Sequence, residues 1–98
     1  MTTFNEFVKD NFERLDLFTT AITRAHGKNH PEAFEVRELF EKINAKLEGV
    51  DTNKPDLSEE FLQLNEVTNN FKVPKGVCET YEAVYQMLSE AELAYKAE

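Results

Sequence analysis

The sequence predicts an all-α protein, a compact antiparallel four-helix bundle, and three observations carry that reading. Apolar residues recur at steps of three and four over four separate segments. The three glycines and three prolines gather at the breaks between those segments. No stretch alternates apolar and polar residues with β-branched enrichment, so no strand is expected.

The first segment runs from about Phe4 to Ala25. Phe4, Val8, Phe12, Leu15, Phe18, Ile22 and Ala25 share one helical face, with Phe7 and Leu17 at its edges. Thr3 and Glu6 have capping-box spacing, and Gly27 suits a left-handed residue closing the helix. The second segment runs from about Pro31 to Glu48, with Pro31 at the first helical position, where a missing N–H costs nothing. Its stripe is Val36, Phe40, Ile43, Leu47 and Val50, with Ala33 and Leu39 beside it, and Gly49 stops it.

The third segment is shorter, from about Leu57 to Asn69. Asp56 and Glu59 again have capping-box spacing. Leu57, Phe61 and Leu64 form the stripe, continued by Val67 or Thr68, with Phe71 just beyond; Asn69 and Asn70 read as a frayed end. The fourth segment runs from about Lys75 to Ala97, and Val77, Tyr81, Val84, Leu88, Ala91 and Tyr95 alternate steps of four and three without a miss.

The 98 residues fit a single domain, and a chain of that size buries roughly 60–70% of its unfolded surface, enough for one core. Cys78 is the only cysteine, which rules out an internal disulfide and suits a reducing cytoplasm. Acidic residues stand where a signal peptide needs an apolar run, and no apolar stretch approaches the roughly 20 residues that cross a bilayer. A cytoplasmic protein without a membrane anchor is expected. The formal net charge is −8 and the bases are scattered singly, so neither nucleic acid nor an anionic lipid surface is an expected partner.

Few residues invite chemistry. His26 and His30 are spaced as neighbours on a helix, but Gly27 and Pro31 interrupt it. They are weak metal candidates. The competing reading is one histidine complementing the C-terminal helix dipole and one at the cap of the next helix. Cys78 lies near the start of the fourth segment, where the dipole favours a thiolate. No histidine is near it in sequence, and its neighbour Val77 suggests a small buried hydrophobe. The acidic runs Ser58-Glu59-Glu60 and Glu90-Ala91-Glu92 lack EF-hand spacing and read as solvated faces. Tyr81 and Tyr95 fit the core edge with hydroxyls reaching water, and Tyr85 fits an exposed or partner-facing ring. No Glu-x-x-His pair of the di-iron bundle type occurs.

Two stretches carry a family resemblance. Ala25-His26-Gly27-Lys28-Asn29-His30-Pro31-Glu32 resembles the His-Gly-x-x-His-Pro turn of the hemerythrin-like di-iron proteins for iron–sulfur cluster repair. LNEVTNNFKVPKGVCETYEAVY, from Leu64 to Tyr85, resembles the Thr-x-x-Phe-x-x-Pro turn and the Ala/Val-Cys-x-Thr-Tyr start of that family's last helix. The matches come in the family's order and together cover about a third of the chain. The resemblance implies a hemerythrin-like bundle whose members hold two irons with several histidines and two glutamates.

Carried over residue by residue, the ligand set is nearly absent. His26 falls on a ligand position. The first-helix ligand falls on Asn5, and the stretch from Val50 to Lys54 lacks the His-x-x-x-Glu expected there. The segment leading into the third helix is shortened together with its histidine, and the last His-x-x-x-Glu would begin about Glu98, where the sequence given stops. The family's N-terminal cysteine segment has no counterpart. The resemblance therefore implies ancestry and fold without the ancestral activity. The expectation is a non-enzymatic, cofactor-free and metal-free interaction or regulatory module, partnered by another protein or a second copy. Two alternatives stand beside it. One is a residual iron or zinc site around His26 and His30, assembled across a dimer. The other is a small apolar ligand carrier using the bundle core.

Overall fold

The apolar stripes coil into four α-helices: α1 Phe4–His26, α2 Glu32–Glu48, α3 Ser58–Thr68 and α4 Glu79–Lys96. The structure is a computed structural model, and it describes residues 3–49 and 55–97. Val50, expected to close the second stripe, lies outside the described residues, as do the stretch from Val50 to Lys54 and Glu98. No strand occurs among the described residues.

The start of α1 follows the sequence: Thr3 is the extended N-cap, and its hydroxyl accepts the Glu6 N–H at 3.1 Å. Its end does not. Gly27 has φ −54° and ψ −32°, a right-handed conformation open to any residue. Glycine is required there for room. A Cβ would lie 2.5 Å from the Thr23 carbonyl oxygen and 2.6 Å from the Phe34 ring. The second helix begins one residue later than expected, with Pro31 as its N-cap at φ −61° and ψ −20°. The third begins at Ser58, after Leu57 as N-cap. Asp56 does not make the expected capping box. Its carboxylate accepts the Ser58 N–H at 3.1 Å, and the hydrogen bonds from Ser58 hold its pKa below the ordinary carboxylate value.

The end of α3 is not frayed. Asn69, Asn70 and Phe71 are all left-handed, with φ of 53°, 60° and 61°. The turn is bonded: the Asn70 N–H reaches the Asn65 carbonyl at 2.7 Å, and the Phe71 N–H reaches the Thr68 hydroxyl at 2.8 Å. The fourth helix starts at Glu79, four residues later than expected. Gly76, at φ 79°, turns the chain, and Val77 and Cys78 run up to the helix outside it, with Cys78 the extended N-cap.

Contacts fix the topology. Phe4 stacks edge-on against Tyr95 while His26 meets Cys78, so α1 and α4 are antiparallel. Phe12 packs on Phe40, and Arg37 reaches Asp16 and Thr19, joining α1 to α2. Lys46 pairs with Glu60, joining α2 to α3. α1 packs on both α4 and α2, and α2 on α3. The fourth side, between α3 and α4, is bridged by side chains: Asn65 donates to Glu92, and Phe61 packs on Tyr95 with centroids 5.4 Å apart.

The core follows the stripes. Phe4, Phe12, Leu15, Ile22, Val36, Phe40, Ile43, Phe61, Leu64, Val84 and Leu88 are all buried. Each such side chain contributes roughly 1.5–3 kcal/mol of burial. Two edge assignments move. Ala25 and Leu17 are exposed, whereas Thr19 is buried, its hydroxyl donating to the Asp16 carbonyl and accepting from Arg37.

Candidate functional site: the His26–Cys78 end of the bundle

Because α1 and α4 run antiparallel, the last turn of α1, the α1–α2 turn and the start of α4 converge at one end. There the His26 Nε2 lies 3.3 Å from the Cys78 Sγ, across 52 residues of sequence. The His26 ring stands edge-on to Tyr81 at 5.4 Å and 62° to the His30 ring at 6.2 Å. Cys78 is exposed, so the buried-hydrophobe expectation is corrected. Its place outside α4 explains this, since an extended N-cap residue stands off the helical stripe that faces the core.

Behind this pair runs a second set of polar contacts. The His30 Nδ1 lies 3.0 Å from Glu32 Oε1. The Tyr81 hydroxyl donates to the same carboxylate oxygen at 3.4 Å and lies 3.4 Å from the Tyr85 hydroxyl. Both tyrosines are buried, contrary to the expected water-facing Tyr81 hydroxyl and exposed Tyr85 ring. Phe71, the last residue of the left-handed turn, packs edge-on against Tyr85, and the His26 and His30 rings pack against Tyr81. Burial raises the pKa of both phenols above the ordinary value, making them weaker acids, and for Tyr81 the Tyr85 hydroxyl and the Glu32 carboxylate add to it.

Iron does not fit the residues here. His26 and His30 turn to different partners, one to Cys78 and one to Glu32. Among the described residues no three His, Cys, Asp or Glu side chains gather as a metal would need. The interior beside them is closed by apolar side chains and tyrosine rings. What the arrangement offers chemically is an accessible thiol with an imidazole nitrogen in reach of its proton.

The opposite end is self-contained. The Tyr95 hydroxyl, expected to meet water, donates to the Pro55 carbonyl at 3.1 Å and accepts the Leu57 N–H at 2.9 Å. Glu60, expected on a solvated face, is buried against the Lys46 ammonium, whose pKa its carboxylate raises. A cleft of about 560 Å³ opens on the α3–α4 side, lined by Phe61, Leu62, Asn65, Glu92 and Tyr95. It is a surface groove, and its position does not match the core cavity expected of an apolar ligand carrier.

No protein-family model matches the chain, and no solved structure matches it. No helix among the described residues is long and apolar enough to cross a membrane.

Proposed function

We propose that this chain is a metal-free, non-enzymatic four-helix module, descended from the hemerythrin-like bundles of iron–sulfur cluster repair, that serves in the cytoplasm as an interaction or regulatory protein. The observation that carries the reading is the composition of the interior. Where a di-iron bundle projects carboxylates and imidazoles inward, this one projects Leu15, Ile22, Val84 and Leu88, and its buried Tyr81 and Tyr85 bond to each other. An interior of apolar side chains has no donor set to offset the dehydration of a metal pair. Partner binding then falls to the surface, by another protein or a second copy.

The test is elemental analysis of protein purified without chelators from iron-supplemented cells. The proposal predicts iron, manganese and zinc far below one per chain and a featureless visible spectrum. Stoichiometric iron with an oxo-bridge band contradicts it.

A further inference from the structure

Cys78 is exposed, and it is not alone: an imidazole nitrogen stands 3.3 Å from its sulfur. A second observation is independent of the thiol. The two segments that meet here, residues 24–31 and 67–78, contain Arg24, Lys28, Lys72 and Lys75 and no acid, in a chain of net charge −8. All four are exposed, and none forms an ion pair with a described residue. Elsewhere among the described residues Arg37, Lys42, Lys46 and Lys96 pair with carboxylates, while Lys9 and Arg14 form no ion pair. The acids that follow these segments are Glu32, already held by His30 and Tyr81, and Glu79, exposed on the first turn of α4. The thiol and its imidazole partner therefore lie on two segments that carry four bases and no acid, the thiol one residue before Glu79, on an otherwise acidic protein, a setting that draws anions.

We propose that Cys78 is a thiol–disulfide exchange site, with His26 as its proton acceptor, selective for low-molecular-weight disulfides that carry carboxylates. His26 Nε2 takes the thiol proton. The Cys78 thiolate attacks one sulfur of the disulfide, and the new sulfur–sulfur bond forms as the old one breaks. The departing thiolate leaves with the bonding pair and takes up a proton from His26 or water. Cys78 is oxidised to the mixed disulfide and the small disulfide is reduced, so no further oxidant enters. The bases hold the carboxylates of the incoming group. This goes beyond the interaction-module reading and does not depend on it.

The experiment follows single-adduct formation by intact-protein mass spectrometry with two probes, oxidised glutathione, which is anionic, and cystamine, which is cationic. The folded protein is expected to react with oxidised glutathione roughly tenfold faster than with cystamine at low salt, after correction by the same ratio in urea, with the preference shrinking as salt screens it. Lys28→Glu combined with Lys75→Glu is expected to abolish or invert the preference, and His26→Gln to slow both probes about tenfold. Lys28 and Lys75 are exposed, so the charge reversal decides the matter even if the His26 variant does not fold. Equal corrected rates for the two probes, or a preference that survives the charge reversal, overturns the proposal.

Discussion

At the end of the bundle where α1 begins and α4 finishes, the polar groups are paired off. Tyr95 clamps the chain leading into α3, Lys46 neutralises Glu60, and Asn65 and Lys96 share Glu92. At the other end the buried Tyr81 and Tyr85 and the half-buried His30 and Glu32 form a chain of polar contacts beside the half-buried His26 and the exposed Cys78, on segments whose four bases form no ion pair with a described residue. Neither end leaves a buried side-chain polar atom unbonded among the described residues. They differ in what they show to solvent. One end joins its helices by ion pairs and tyrosine hydrogen bonds, and the other presents a nucleophile and bases without an ion pair among the described residues.

The comparison can be broken most forcefully at Tyr81, whose ring is fully buried and faces His26, His30 and Tyr85. Tyr81→Ala is expected to cost about 3–5 kcal/mol in urea unfolding, as large aromatic truncations do. The same ring gives the chain an alkaline limit. Its folded pKa lies above the unfolded value of 10.0, so the neutral phenol is the form the fold favours. Stability is unaffected by this group below pH 10.0 and falls as the pH rises beyond it, because the unfolded chain releases the proton first. Unfolding midpoints measured against pH should show that loss, and Tyr81→Phe combined with Tyr85→Phe should reduce it.

Next in size is Gly27→Ala, expected to cost about 1–3 kcal/mol, since the new methyl meets a backbone oxygen and the Phe34 ring. Adding Phe34→Ala should recover part of the loss, a coupling readable in a double-mutant cycle. At the opposite end, Tyr95→Phe removes both hydroxyl bonds and leaves the Leu57 N–H without that partner, for about 1–2 kcal/mol. If the two ends are separately built, Tyr95→Phe leaves the reactivity of Cys78 unchanged. The smallest effect is expected at Asn70, whose φ of 60° suits asparagine and not a β-branched residue. Asn70→Val should cost about 1 kcal/mol, read as a small drop in the thermal midpoint.

The helices were legible because periodicity reports which face meets a core, and Phe12, Leu15, Val36, Phe40, Phe61 and Leu88 all meet one. The chain's punctuation was less so. Gly27 signals a close approach by Phe34, which spacing does not encode, and Gly76 with Pro74 delays α4 past the register its apolar residues suggested. Tyr85 looked exposed on the heptad count because the count takes no account of Phe71, carried over it by three left-handed residues. Of the site, His26 could be singled out from sequence and Cys78 only as an isolated thiol. Their contact depends on two helix ends meeting in space. The unpaired bases were visible as Arg24, Lys28, Lys72 and Lys75, but their shared location needed the fold.

The proposed metal-free module rests on an apolar interior. Thermal unfolding of chelator-treated protein, with and without a tenfold excess of ferrous iron under anaerobic conditions, tests that claim most directly. Midpoints agreeing within about 1 °C are the predicted result, because an ion without a site in the folded state cannot stabilise it. A rise of about 5 °C or more, saturating at a fixed ratio of iron to chain, would contradict the account.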